Sequence, residues 1–160
     1  MPPKHRQLRE VREPVFDEQW VAGTYLISGI FFFDSPSLTS AVIADAINPL
    51  YERTKKQRRR AWPRGVSGYY IIPIFTAPSF DDQVVNFVHV RMTFRWAIWP
   101  EPVLYRSADN TVEQRADYGL HGAAFYYYVQ TMIGASVGVV AKLAGYKYPC
   151  AVNGHPIQPT

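Results

Sequence analysis

The chain reads as a single α+β domain: a curved antiparallel sheet of about four to five strands packed against two helices, the C-terminal one long and apolar. Three patterns predict it. Residues 88–98 alternate strictly, with Val88, Val90, Met92, Phe94, Trp96 and Ile98 set between His89, Arg91, Thr93, Arg95 and Ala97, the period of a half-buried strand. Leu38, Val42, Ile43, Ala46, Ile47, Leu50 and Tyr51 recur at the 3.6-residue period of a one-faced helix. Residues 119–141 contain no Asp, Glu, Lys or Arg and are rich in Ala, Gly and Ser, which predicts a long buried helix.

A length of 160 residues suits one core, and an apolar fraction of 48% supplies enough surface to offset the entropy of ordering it. Residues 1–13, polar and without an apolar period, are expected as a flexible basic arm. Residues 14–148 form the expected domain, and residues 149–160 a Pro-rich C-terminal tail. Thirteen prolines, several beside aliphatic or aromatic residues, favour bent and edge elements over a helical bundle.

Taken in order, residues 20–33 are β-branched and aromatic and predict a first strand, with Gly23 and Gly29 marking a bulge or bend. Asp34, Ser35, Pro36 and Ser37 then open a helix over residues 37–52, where Pro49 predicts a kink or an early end. Residues 65–77 predict a second strand, placed at an edge or bulge because Pro73 cannot donate to a ladder. In the alternating stretch, burial of the six apolar side chains is worth roughly 10–18 kcal/mol gross, and a one-residue slip would bury two arginines. Pro100 and Pro102 break that strand, residues 103–105 resume it, and residues 111–115 return as a short outer strand after a turn at Ala108, Asp109 and Asn110. Strands following one another by short connections favour antiparallel pairing, with both helices on one face.

The net charge of +4 is divided unevenly: the first twelve residues carry +3 and residues 53–60 carry +6, leaving −5 on the rest. The cluster Arg53, Lys55, Lys56, Arg58, Arg59 and Arg60 suits sequence-nonspecific contact with phosphates, with Trp62 near enough in sequence to stack on a base. No motif of a known nucleic-acid-binding module accompanies it. His89, Arg91 and Arg95 would form a second cationic stripe on the polar face of residues 88–98, suited to a carboxylate or phosphate.

Aromatic residues make up 15% of the chain. The expected site is a pocket between the sheet and the C-terminal helix, drawn from Trp96, Trp99, Glu101, Tyr105, His121, Tyr126 and Tyr127. It would accept a small apolar or cationic molecule, since indole and phenol faces attract cations and a carboxylate adds charge. The same tyrosines suit a homo-oligomer interface.

Two further expectations concern what is missing. The four histidines and the single Cys150 show no metal-ligand spacing, and there is no phosphate-cradling glycine loop or nucleophile elbow, so no cofactor or metal is expected and an enzyme reading rests only on His121 meeting Asp117 or Asp34. Residues 119–141 are long enough to cross a bilayer, but His121, Gln130, Thr131, Ser136 and their glycines make a membrane span the weaker reading. A cytoplasmic protein is expected.

Overall fold

The computed structural model describes residues 8–21, 23–57, 67–90, 92, 97–115 and 125–157. Two strands open the chain as a hairpin, β1 (Arg9–Val21) and β2 (Thr24–Asp34), paired antiparallel with Val21 opposite Thr24. Gly23, at φ +77°, takes the left-handed conformation that this two-residue turn needs. The strand expected at residues 20–33 is thus two strands, and residues 9–13 of the expected arm belong to β1.

Helix α1 (Ser40–Lys56) follows, capped by the Thr39 side chain, which accepts from the Val42 amide at 3.2 Å. It runs unbroken through Pro49. Both Pro49 and Asp45, whose carbonyl loses its partner there, lie on the exposed side, where water can satisfy the orphan. Arg53, Lys55 and Lys56 occupy the last turn, where positive charge suits the helix dipole.

Strand β3 (Ser67–Ala77) lies parallel to β2 over ten residue pairs, from Tyr25 opposite Ser67 to Asp34 opposite Thr76. Helix α2 (Asp82–His89) leads on to β4 (Ile98–Pro100) and β5 (Val103–Arg106), both parallel to β3. Strand β6 (Thr111–Glu113) returns antiparallel to β5, a shorter strand than the expected residues 111–115 and not an outer one, because the C-terminal tail pairs with its far side. Helix α3 (Tyr126–Leu143) comes next, and the tail closes as β7 (Ala151–Val152), parallel to β6, and β8 (His155–Pro156), antiparallel to β7.

The antiparallel expectation is therefore overturned. The strands form one mixed sheet in the order β1-β2-β3-β5-β6-β7-β8, with β4 beside β3, and its centre is parallel because helices cross over between β2, β3 and β5. Three helices, not two, are present among the described residues, and they cover both faces. On one face Ile27, Phe31, Ile71, Phe75 and Leu104 pack with Ile43 and Ile47 of α1 and with Val84 and Val88 of α2. On the other, Leu26, Ile30, Ile72, Ile74 and Val103 pack with Val129, Ile133 and Val137 of α3. β2 and β3 thus feed the two cores with alternate side chains.

The strand expected at residues 88–98 is absent from its first part. Val88 and His89 end α2, and Ile98 starts β4; residues 91 and 93–96 lie outside the described residues. Val84 and Val88, one helical turn apart, are both buried, so a 3.6-residue period beginning earlier captures the residues that open the alternating run. The C-terminal helix is likewise not a long apolar one: α3 spans 18 residues, buries one side only, and carries Gln130, Thr131 and Lys142. Among the described residues no helix is long and apolar enough to cross a membrane.

Pro73 sits in an interior strand, not at an edge. Ile71 pairs with Pro100 of β4 and Ile74 with Val103 of β5, so Pro73 faces the gap between the two strands, where the ladder is already interrupted. In the same break Glu101 donates its amide to the Ile71 carbonyl at 2.8 Å and turns its side chain inward, 2% exposed. The carboxylate meets Arg115, itself 7% exposed, at 2.9 Å. Breaking such a pair by Glu101→Leu is expected to cost about 3–5 kcal/mol in urea unfolding, because a guanidinium is left buried without its counter-charge. Adding Arg115→Met should recover most of that loss, and simple addition of two losses would contradict the pairing.

Candidate functional site

Among the described residues, the sequence-predicted ones do not converge. Trp99 packs against Tyr70 (centroids 5.1 Å apart) and Phe125 (5.8 Å), and Tyr128 also leans on Tyr70 (6.4 Å). These rings fill the space between the sheet and the start of α3 where a pocket was expected. Glu101 is buried with Arg115 and does not face a ligand. Tyr105, fully buried, donates to Asn110 Oδ1 at 2.6 Å, which ties the β5–β6 turn to the Tyr148 carbonyl through Asn110 Nδ2 at 2.9 Å. Tyr126 and Tyr127 stand at the outer start of α3, the latter 83% exposed, with their rings edge to face. Trp96 and His121 lie outside the described residues.

The cationic sets are also divided. Arg53 makes a two-pronged bond to Glu10 of β1, both contacts 3.0 Å, and stacks over the Phe31 ring at 5.0 Å, so it clamps α1 to the sheet. Lys55 lies over the Tyr51 ring at 5.9 Å and Lys56 is exposed; Arg58, Arg59 and Arg60 lie outside the described residues, as do Arg91 and Arg95. His89, expected on a strand, instead ends α2 and meets Glu113 of β6, Nε2 to Oε2 at 2.6 Å. Glu113 also lies 3.9 Å from Arg106, which contacts Asp109 at 3.5 Å and donates to Thr111 at 3.2 Å. Among the described residues two carboxylates, Glu113 and Asp109, meet one guanidinium and one imidazole there, and the cluster holds α2 to the β5–β6 hairpin. Among the described residues no group of three or more His, Cys, Asp or Glu side chains is placed to hold a metal ion.

A different site forms at the open side of the sheet. A cleft of about 690 Å³ is lined by residues 16–20 of β1, Tyr25 of β2 and Gln57 at the end of α1. Its walls follow from the strand period. Phe16, Glu18 and Trp20 turn toward the α1 side: Phe16 meets Phe31 edge to face at 5.8 Å, Trp20 lies 5.3 Å from Tyr25, and Glu18 accepts from the Tyr25 hydroxyl at 2.6 Å. The result is a carboxylate set among aromatic faces, with Trp20 half exposed. The period-two spacing of Phe16, Glu18 and Trp20 is the signal that sequence reasoning passed over.

Asp17, between them, turns to the opposite face and fixes the strand's orientation. Its Oδ2 accepts from the Tyr128 hydroxyl of α3 at 2.9 Å, and the same hydroxyl lies 2.9 Å from the buried Ser28 Oγ of β2. Gln19 Nε2 also donates to Asp17, at 3.2 Å. This network binds β1, β2 and α3 together and leaves Glu18 no choice of face.

Burial pushes the Tyr128 hydroxyl well above its ordinary value of 10.0, with the Ser28 bond opposing and Asp17 reinforcing the shift. Burial raises Tyr105 as well, helped by Tyr146, Cys150 and Asp109. The folded chain therefore keeps these protons to higher pH than the unfolded chain. Below pH 10 both states are neutral at these groups and stability does not change with pH through them; above it the unfolded chain deprotonates first and stability falls, by up to about 1.4 kcal/mol per pH unit for each tyrosine. Tyr128→Phe should reduce that alkaline slope in denaturant titrations, with Tyr105 supplying the remainder, and should cost about 1–3 kcal/mol at neutral pH by leaving Ser28 without its bond. An unchanged slope would contradict the network.

Comparison with family models, with curated proteins and with solved structures gives no match.

Proposed function

We propose that the chain is a binding domain whose cleft beside β1 takes an organic cation, an ammonium or guanidinium group carried on a larger molecule. The observation that carries the reading is the Glu18 carboxylate set among Phe16, Trp20 and Tyr25 in an open cleft of about 690 Å³. A cation over an indole or phenol face gains about 0.5–2 kcal/mol, more as water is displaced, and a nearby carboxylate adds a charge-assisted hydrogen bond. Flat aromatic walls also favour a planar guanidinium over a compact ammonium. Support comes as well from the rigidity of the walls, since Asp17 is held from behind by Tyr128 and the Glu18 carboxylate accepts from Tyr25.

The nucleic-acid alternative is weakened by Arg53, whose guanidinium is committed to Glu10. The enzyme alternative has less support: among the described residues that line the cleft the carboxylates are Asp17 and Glu18, and no histidine stands with them.

Nα-acetylarginine amide and its neutral isostere Nα-acetylcitrulline amide, hereafter arginine amide and citrulline amide, discriminate the reading. Arginine amide is expected to shift the amide resonances of residues 16–20 and Tyr25 saturably, and citrulline amide to leave them in place. Glu18→Gln and Trp20→Ala should each weaken binding by about three- to tenfold, corresponding to one lost charge contact or one lost ring face. Equal binding of the two amides would sink the proposal.

A further inference from the structure

We infer that the cation entering this cleft is a lysine or arginine side chain of an extended basic peptide, which docks as an added strand on the outer edge of β1. This rests on the cation-binding reading of the cleft and adds the partner and its backbone geometry.

β1 ends the sheet, and among the described residues no strand pairs with its outer side. An edge of this kind presents a row of outward N–H and C=O groups that an extended chain can complete. Only part of β1 is suited to it. Register shifts fall between Glu10 and Arg12 and between Arg12 and Val15, and Pro14 lies within the second, so the strand is irregular up to that point. From Val15 to Val21 the pairing with β2 is continuous, residue by residue. That is the stretch that lines the cleft.

Charge chooses the occupant. Within residues 15–21 the ionisable groups are Asp17 and Glu18 alone, one on each face of the strand. A second copy of this chain paired antiparallel on the same edge would set those carboxylates against each other, and like charges directly opposite are destabilising. A peptide with alternate basic residues places its side chains about 4.5–5.5 Å from those of β1, so that a lysine opposite Glu18 enters the cleft between Phe16 and Trp20. The cleft therefore reads one side chain while the backbone ladder supplies the rest of the affinity. Val15 and Trp20, 45% and 50% exposed, become partly covered in the process.

The full chain is titrated with a capped peptide of alternating threonine and lysine about nine residues long, with the same peptide N-methylated on alternate backbone amides, with a version bearing glutamine for lysine, and with arginine amide. The proposal expects the lysine peptide to bind at least about tenfold tighter than arginine amide, to slow amide exchange within residues 15–21, and to lose that advantage when the amides of its pairing edge are methylated. If arginine amide binds but the lysine peptide binds no tighter and methylation of either amide set is harmless, strand addition is overturned and the cleft remains a site for a free cation. If the glutamine peptide binds as well as the lysine peptide, the cation reading itself fails. Protection of residues 15–21 that rises with protein concentration and excludes the peptide would overturn the proposal in favour of a second copy.

Discussion

Two adjacent strands buried on both faces constrain everything else in this molecule. Leu26, Ile27, Ile30 and Phe31 of β2, with Ile71, Ile72, Ile74 and Phe75 of β3, alternate between the two cores, and none is more than 3% exposed. A strand with apolar residues on both sides needs cover on both sides, and parallel pairing in turn needs a crossover long enough to hold a helix. α1 and α2 meet that need on one face, and α3 on the other. Gly29 shows how close the cover lies: a Cβ there would collide with the Thr54 hydroxyl of α1 and the ring of Phe31.

Much of this was legible. The helical period within residues 38–51, the apolar run over residues 69–75 and a short strand returning at Thr111 stand where local physics puts them, although that last strand is covered by the tail and is not the outer one expected. What misled was the alternating stretch at residues 88–98, which supplied a false hairpin partner for β3 and with it an antiparallel sheet. Asp81 and Asp82, acidic residues at a helix start, and the pair Val84 and Val88 favoured a helix whose end overlaps that stretch. Once α2 stands there, the order strand, helix, strand, helix, strand is the signature of parallel crossovers.

The site was less legible than the fold, for a physical reason. β1 is an edge strand, exposed along much of its length, so its residues follow charge and solubility and carry little apolar period to detect. Its position is set by partners remote in sequence: Glu10 by Arg53, Asp17 by Tyr128, more than a hundred residues away. Conversely, of the residues that drew attention, Trp99 and Tyr105 serve the interior, Tyr126 and Tyr127 stand exposed away from the cleft, and Glu101 meets its cation within the chain. Clustering in sequence marked residues that pack, whereas the cleft is assembled by a hairpin turn and the end of a helix.

The central claim, parallel pairing of β2 and β3 beneath helices on both faces, is tested most directly by proton contacts between the two backbones. With Ile27 opposite Tyr69 and Ile30 opposite Ile72, amide-to-α-proton contacts should run in step along both strands in the same direction, and amide exchange should be slowest there. Strong contacts between α protons across the two strands, the mark of antiparallel neighbours, would contradict the account.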